Sequence, residues 1–149
     1  MAITMSIDLA SLNGSNGFRL DGVAVRDYSG ESVSNAGDVN GDGFDDVIVG
    51  ALSADPNGDY SGSSYVVFGK ASGFDAAINL SGLDGSNGFR LDGENGLSGS
   101  SVSNAGDVNG DGFDDVIVGA PFAGFNKVFP PGSSYVVFGK ASGFSATID

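Results

Sequence analysis

Apolar residues in this chain come in short runs fenced by glycine, and two patterns recur. Phe18-Arg19-Leu20 and Ser32-Val33-Ser34 alternate apolar and polar residues, the period of a strand with one buried face. Val47-Ile48-Val49 and Tyr65-Val66-Val67-Phe68 are β-branched or aromatic throughout, which suits strands buried on both faces. Glycine is too frequent for helix to compete: there are 26 in 149 residues. Each one inside a helix would cost about 1 kcal/mol relative to alanine. The pattern predicts an all-β chain built from units of four short strands.

The units repeat. GSNGFRLDG stands at Gly14–Gly22 and at Gly85–Gly93, and SVSNAGDVNGDGFDDVIVGA at Ser32–Ala51 and Ser101–Ala120. GSSYVVFGKASGF stands at Gly62–Phe74 and at Gly132–Phe144. The period is about 70 residues, and near-identity implies a recent duplication or a designed sequence. Length differences fall at Val23–Gly30 against Glu94–Gly99, and at Leu52–Ser61 against Pro121–Pro131, which marks these stretches as loops. The expected organisation is one two-blade unit over residues 1–149, with repeat 1 at about 11–80 and repeat 2 at about 81–149. A sheet of four short strands cannot bury both its faces alone, so neighbours must stack on it. Radial stacking of such sheets gives a β-propeller, and strict repetition argues against the competing β-sandwich.

Charge narrows the partners. The net charge is −13 with only six basic residues, which argues against nucleic acid and anionic membrane surfaces. No apolar run reaches the roughly 18 residues of a spanning helix, and Met1 to Ala10 lacks the basic and apolar regions of a signal peptide. Cysteine and histidine are both absent, which removes thiolate and imidazole metal sites and the commonest catalytic bases and nucleophiles. The serines lie in glycine-rich turns with no base in view. An enzyme is not expected.

The densest chemistry is Asp38-Val39-Asn40-Gly41-Asp42-Gly43-Phe44-Asp45-Asp46, repeated from Asp107 to Asp115. Oxygen side chains at positions one, three and five of a tight loop can converge on a point, and glycine at six permits the turn. This is the logic of a calcium loop with six to eight oxygen ligands. The expected ligands are Asp38, Asn40, Asp42, Asp46 and the Phe44 carbonyl, and in the second copy Asp107, Asn109, Asp111, Asp115 and the Phe113 carbonyl. That makes two Ca2+ per chain. An EF-hand would need an acid at position twelve and a following helix, but position twelve is Val49 or Val118 and a strand pattern follows. The competing account is an Asx-rich turn with no ion, since Asn-Gly and Asp-Gly are favoured turn pairs. Asp45 and Asp114 should point away from the loop, to solvent or to cap a turn.

The acidic loop followed by Asp-Val-Ile-Val-Gly-Ala and Gly-Ser-Ser-Tyr-Val-Val-Phe-Gly resembles the FG-GAP repeats of integrin α-chain propellers, from about Leu12 to Phe144. Gly119-Ala120-Pro121 keeps the family's Gly-Ala-Pro element, where the first copy has Gly50-Ala51-Leu52. The Phe-Gly element is replaced by Tyr28-Ser29-Gly30 and Leu97-Ser98-Gly99. The resemblance implies that Ser32–Gly37 is an innermost strand, Asp46–Ala51 the second and Gly62–Phe68 the third. The Phe-Arg-Leu block would be the outermost strand of the preceding blade. It also implies that calcium stiffens each blade, that loops on the propeller's faces hold protein ligands, and that the setting is extracellular or at the cell surface. Phe122, Phe125, Val128 and Phe129 form an aromatic cluster in one long loop. Packing against a neighbouring blade is the plainer account, and a glycan contact, as in lectins with integrin-like propellers, is the alternative.

Propellers have about four to eight blades, so two repeats cannot close a ring alone. The expected partner is the chain itself, as a trimer with six blades or a tetramer with eight. Phe18–Leu20 of one copy would then lie on the edge at Tyr135–Phe138 of the next. A rotation of about 45° per blade for eight lies slightly nearer the roughly 51° of a seven-bladed ring than the roughly 60° for six.

Overall fold

A computed structural model describes residues 6–124 and 130–149, and the structural statements that follow concern those residues. In chain order the strands are β1 (Arg19–Asp21), β2 (Ser29–Gly37), β3 (Asp46–Ala51), β4 (Ser63–Val67), β5 (Ala77–Asn79), β6 (Gly88–Asp92), β7 (Ser101–Gly106), β8 (Asp115–Ala120), β9 (Ser133–Val137) and β10 (Thr147–Ile148). Two single turns of 3-10 helix, Leu9–Ser11 and Leu80–Gly82, occupy equivalent places before β1 and β6. The chain is all-β, as the run lengths and glycine fences require.

The first blade is the antiparallel sheet β2-β3-β4-β6, with the Phe-Arg-Leu strand β6 outermost. Its register pairs Ser63 with Asp92, Tyr65 with Arg90 and Val67 with Gly88. A fifth strand, absent from the sequence reading, runs parallel to β6: Thr147 lies opposite Arg90 and Ile148 opposite Leu91. In the same way β5 runs parallel to β1, with Leu20 opposite Ile78. The tail of each repeat thus reaches back to cover the outer strand of the blade before it. The second blade has only β7-β8-β9. Among the described residues no strand lies beyond β9, and β1 has no partner except β5. The sheets therefore stack as blades but do not close within one chain.

The inner strand β2 begins at Ser29 rather than Ser32, so the first loop ends two residues earlier than its glycine suggested. Pairing between Ser29 and Ser32 is irregular, and Gly30 has φ of 93°. A glycine in the left-handed region here marks a bulge inside a strand, which its sequence cannot distinguish from a turn.

Alternation explains the solid apolar runs. Ile48 and Val66 of the first blade, with Phe89, meet Val102, Val116 and Val118 of the second in one buried cluster. Val49, Tyr65 and Val67 point the other way and pack with Leu80 and Leu83 and with Leu20 and Ile78 of the β1–β5 ribbon. Each such side chain removed from water contributes about 1.5–3 kcal/mol. The first blade is thus covered on both faces, one of them by the β1–β5 ribbon together with Leu80 and Leu83.

Candidate metal centre

Both acidic loops are the turns between a blade's first two strands, β2 to β3 and β7 to β8. In the first, Asp38 Oδ1 accepts from the N–H groups of Gly41 (2.7 Å) and Asp42 (3.0 Å), and Oδ2 accepts from Gly43 N–H (2.9 Å). Asn40 Oδ1 accepts from Asp42 N–H, and Asp42 Oδ1 from Phe44 N–H, both at 2.9 Å. Gly41 and Gly43 have φ of 74° and 87°, a region that strains side chains with a Cβ. The loop at Asp107–Asp115 repeats this network, with Asp107 accepting from Gly110, Asp111 and Gly112.

Asp46 differs from the other acids. It is buried, and its two oxygens accept from Val39 N–H (3.0 Å) and Gly69 N–H (2.8 Å). Burial pushes its pKa up to about 6; these two hydrogen bonds oppose the rise, and the charges of Asp42 and Asp38 add to it. Asp115 is buried in the same cradle, held by Val108 N–H and Gly139 N–H at 2.9 Å. Position nine of the motif is therefore a structural anchor that ties the loop to β3 and to the end of the third strand.

The structure brings Asp38, Asn40 and Asp42 together through shared hydrogen bonds, and likewise Asp107, Asn109 and Asp111. It does not gather three or more carboxylates at metal-holding spacing among the described residues. What it shows at the loop is a network of Asx turns. The donor set nevertheless fits a hard cation. It is all oxygen, it lies on one exposed turn, and the buried Asp46 feels the neighbouring negative charges of Asp42 and Asp38. Val49 and Val118 lie inside β3 and β8, so the helix an EF-hand requires is replaced by a strand.

Asp114 and Phe113 carry a role that loop logic missed. Asp114 Oδ2 accepts from Asp38 N–H at 2.9 Å, and Asp114 N–H donates to the Asp38 carbonyl at 3.1 Å, so the second blade caps the acidic loop of the first. A Cβ added at Gly41 would collide with the Phe113 ring. Lys140 N–H donates to the Val39 carbonyl (2.9 Å), and Val102 N–H donates to Ser32 Oγ (3.0 Å). Asp45, the equivalent of Asp114, is exposed, as is Phe44, the equivalent of Phe113. The signal that could have found this role was a large apolar residue at position seven of a polar turn, present in both copies. In the long loop, Phe122 is exposed, while Phe125, Val128 and Phe129 lie outside the described residues.

Small antiparallel sheets stacked face to face, four strands in the first blade and three in the second, with an acidic turn between the first two strands of each, define blades of the propeller type. The family model for the FG-GAP repeat matches residues 29–67 and 98–137, more than half of the chain, and the chain belongs to that family. Integrin alpha-6 of Gallus gallus is 39% identical over 95 residues, covering 62% of this chain and 8% of the integrin. Integrin alpha-PS5 of Drosophila melanogaster is 41% identical over 109 residues, covering 72% and 10%, and integrin alpha pat-2 of Caenorhabditis elegans is 38% identical over 130 residues, covering 78% and 10%. The chain thus spans about a tenth of the length of the relatives it matches.

Proposed function

We propose that the chain is a calcium-binding propeller module that works by interaction rather than catalysis, outside the cell or at its surface, and that copies of it assemble into a closed ring. The observation that carries the calcium reading is the buried carboxylate Asp46 beneath an all-oxygen loop that carries two more acids, with the same loop built again at Asp115. Asp38, Asn40, Asp42 and Asp46 with the Phe44 carbonyl would hold one ion, and Asp107, Asn109, Asp111 and Asp115 with the Phe113 carbonyl the other. The ion would neutralise the loop and stiffen the first turn of each blade. Kinship with integrin α chains supports a surface setting, and no described helix is long and apolar enough to cross a membrane. The ring reading is supported by open edges at β1 and β9. The exposed Phe122 favours a lectin-like contact as a second reading, and loss of glycan-array binding on Phe122→Ser would favour it over a scaffold.

A ligand that binds only the folded state stabilises it by about 2.7 kcal/mol at a hundredfold excess over its dissociation constant. Thermal melts should therefore rise by several degrees with calcium relative to chelator. Asp42→Ala combined with Asp111→Ala should abolish that difference. Coincident wild-type melts in calcium and chelator would refute the calcium reading.

A further inference from the structure

The geometry points to a specific head-to-tail interface between two copies of this chain, in which the β1–β5 ribbon of one copy and its 3-10 turn at Leu9–Ser11 become the missing outer edge of the other copy's second blade. This deepens the ring reading and rests on it. Its warrant is that the chain already contains one complete example of the interface. Where β6 joins β4, Leu80 and Leu83 pack on Tyr65 and Val67, and Phe68, Phe89 and Phe144 form a mutual aromatic cluster with centroids 4.6–5.9 Å apart.

Every member of that interface has a repeat-mate, and these mates stand half-assembled at the two ends of the molecule. Phe18 and Phe74, the mates of Phe89 and Phe144, are stacked at 4.2 Å without a third ring. The mate of Phe68 is Phe138, at the far edge of the second blade; it is 52% exposed where Phe68 is 7% exposed. Leu9, the mate of Leu80, is 77% exposed against 2%. A cleft of about 490 Å³ opens beside β9, lined by Leu91, Val118, Tyr135, Val137 and Ile148 among others. These five are the mates of Leu20, Val49, Tyr65, Val67 and Ile78, the residues around Leu80 and Leu83 in the complete example. The cleft therefore offers Leu9 and Leu12 of a second copy the same apolar residue types that surround Leu80 and Leu83.

The complete example also supplies the register. Transferring the β4–β6 pairing puts Ser133 opposite Asp21, Tyr135 opposite Arg19 and Val137 opposite Gly17 of the second copy. Ser133 Oγ would then donate to the partner's Asp21 as Ser63 Oγ donates to Asp92 at 2.9 Å. Such pairing removes the open edge at β9, which is otherwise a template for aggregation. The contact is heterologous, so it propagates until the rotation closes a ring.

The test begins with sedimentation of the wild-type chain in calcium buffer, followed by two surface variants, Leu9→Asp and Phe138→Asp. Both residues are exposed in the single chain, so circular dichroism should show each variant folded. Each alone should sediment at the 14.8 kDa of one chain. Mixed, they should form a dimer of twice that mass that grows no further, because each variant retains the half the other has lost. Register is read separately by mixing Ser133→Cys with Asp21→Cys, which should form a disulfide-linked pair, whereas Ser133→Cys with Arg19→Cys should not. A wild-type chain that stays monomeric overturns the ring reading and this interface together. A wild-type oligomer whose two variants still assemble alone, or whose cysteines link at Arg19 instead of Asp21, overturns this interface and leaves the ring reading standing.

Discussion

Asp42 and Asp46 sit four positions apart in one loop and have separable physical roles. Asp42 is exposed and accepts only local hydrogen bonds, whereas Asp46 is buried and satisfies two backbone N–H groups, one of them 23 positions away. Removing the Asp46 acceptors strands those donors, and leaving a buried donor unpaired costs about 1–3 kcal/mol. Relief of a carboxylate that burial disfavours offsets part of that cost. Urea titration in chelator should therefore find Asp46→Ala destabilised by about 2 kcal/mol, while Asp42→Ala stays within about 0.5 kcal/mol of wild type. In calcium both variants should also forfeit the ion's contribution, because both residues are proposed ligands, so the chelator arm is the one that separates them. Equal destabilisation of the two variants in chelator would contradict the division of roles. A similar separation applies to glycines: Gly110→Ala meets only its left-handed φ of 79° with open space around it, whereas Gly41→Ala also strikes Phe113. The second should lower the melting temperature more.

Strands β4 and β9 have the same sequence, Ser-Ser-Tyr-Val-Val, and opposite surroundings. Val66 is 0% exposed and Val136 is 43% exposed, although nothing in either strand distinguishes them. At concentrations where the chain is monomeric, Val66→Ala should cost about 2 kcal/mol, from the lost burial and the cavity left behind, and Val136→Ala much less. Denaturant midpoints of the two variants measure this directly, and equal losses in the monomer would mean the β9 edge is covered in a way the fold does not show. This comparison also marks how far sequence carries. The β3 and β4 runs were legible because residues buried on both faces must be apolar throughout. The acidic segments were legible as turns because Asn40-Gly41 and Asp42-Gly43 are favoured turn pairs. Strands β5 and β10 were not, because three residues such as Ala77-Ile78-Asn79 carry no period, and each pairs with a strand far back in the chain, Ala77 with Arg19 and Thr147 with Arg90. The capping by Asp114 was hidden for a similar reason: a local pattern fixes which way a side chain turns, while its partner comes from the stacking of the next blade.

At the scale of the whole molecule the two acidic loops, alike in sequence, lie in different places. The loop at Asp38–Asp46 meets its neighbour blade within one chain, capped by Asp114 with the Phe113 ring against Gly41. The loop at Asp107–Asp115 has no such cover among the described residues, and Val108 is exposed where Val39 is buried. In the proposed head-to-tail assembly Asp45 and Phe44 of the next copy would take the places of Asp114 and Phe113. Assembly then asks copies of net charge −13 to meet at an acidic turn, and the two proposed calcium ions per chain would cancel four of those charges. Loss of the ion from the second loop should weaken association by about tenfold or more, since one hydrogen bond to a charged group contributes about 1.5–3 kcal/mol. Loss from the first loop should instead lower the stability of the single chain. Asp111→Ala is therefore expected to shift sedimentation in calcium toward the monomer while the chain stays folded, and Asp42→Ala to lower the melting temperature while copies still associate. If the two variants lose association and melting temperature to the same extent, the loops do not divide between an internal interface and an external one, and the assembly must be built on some other surface.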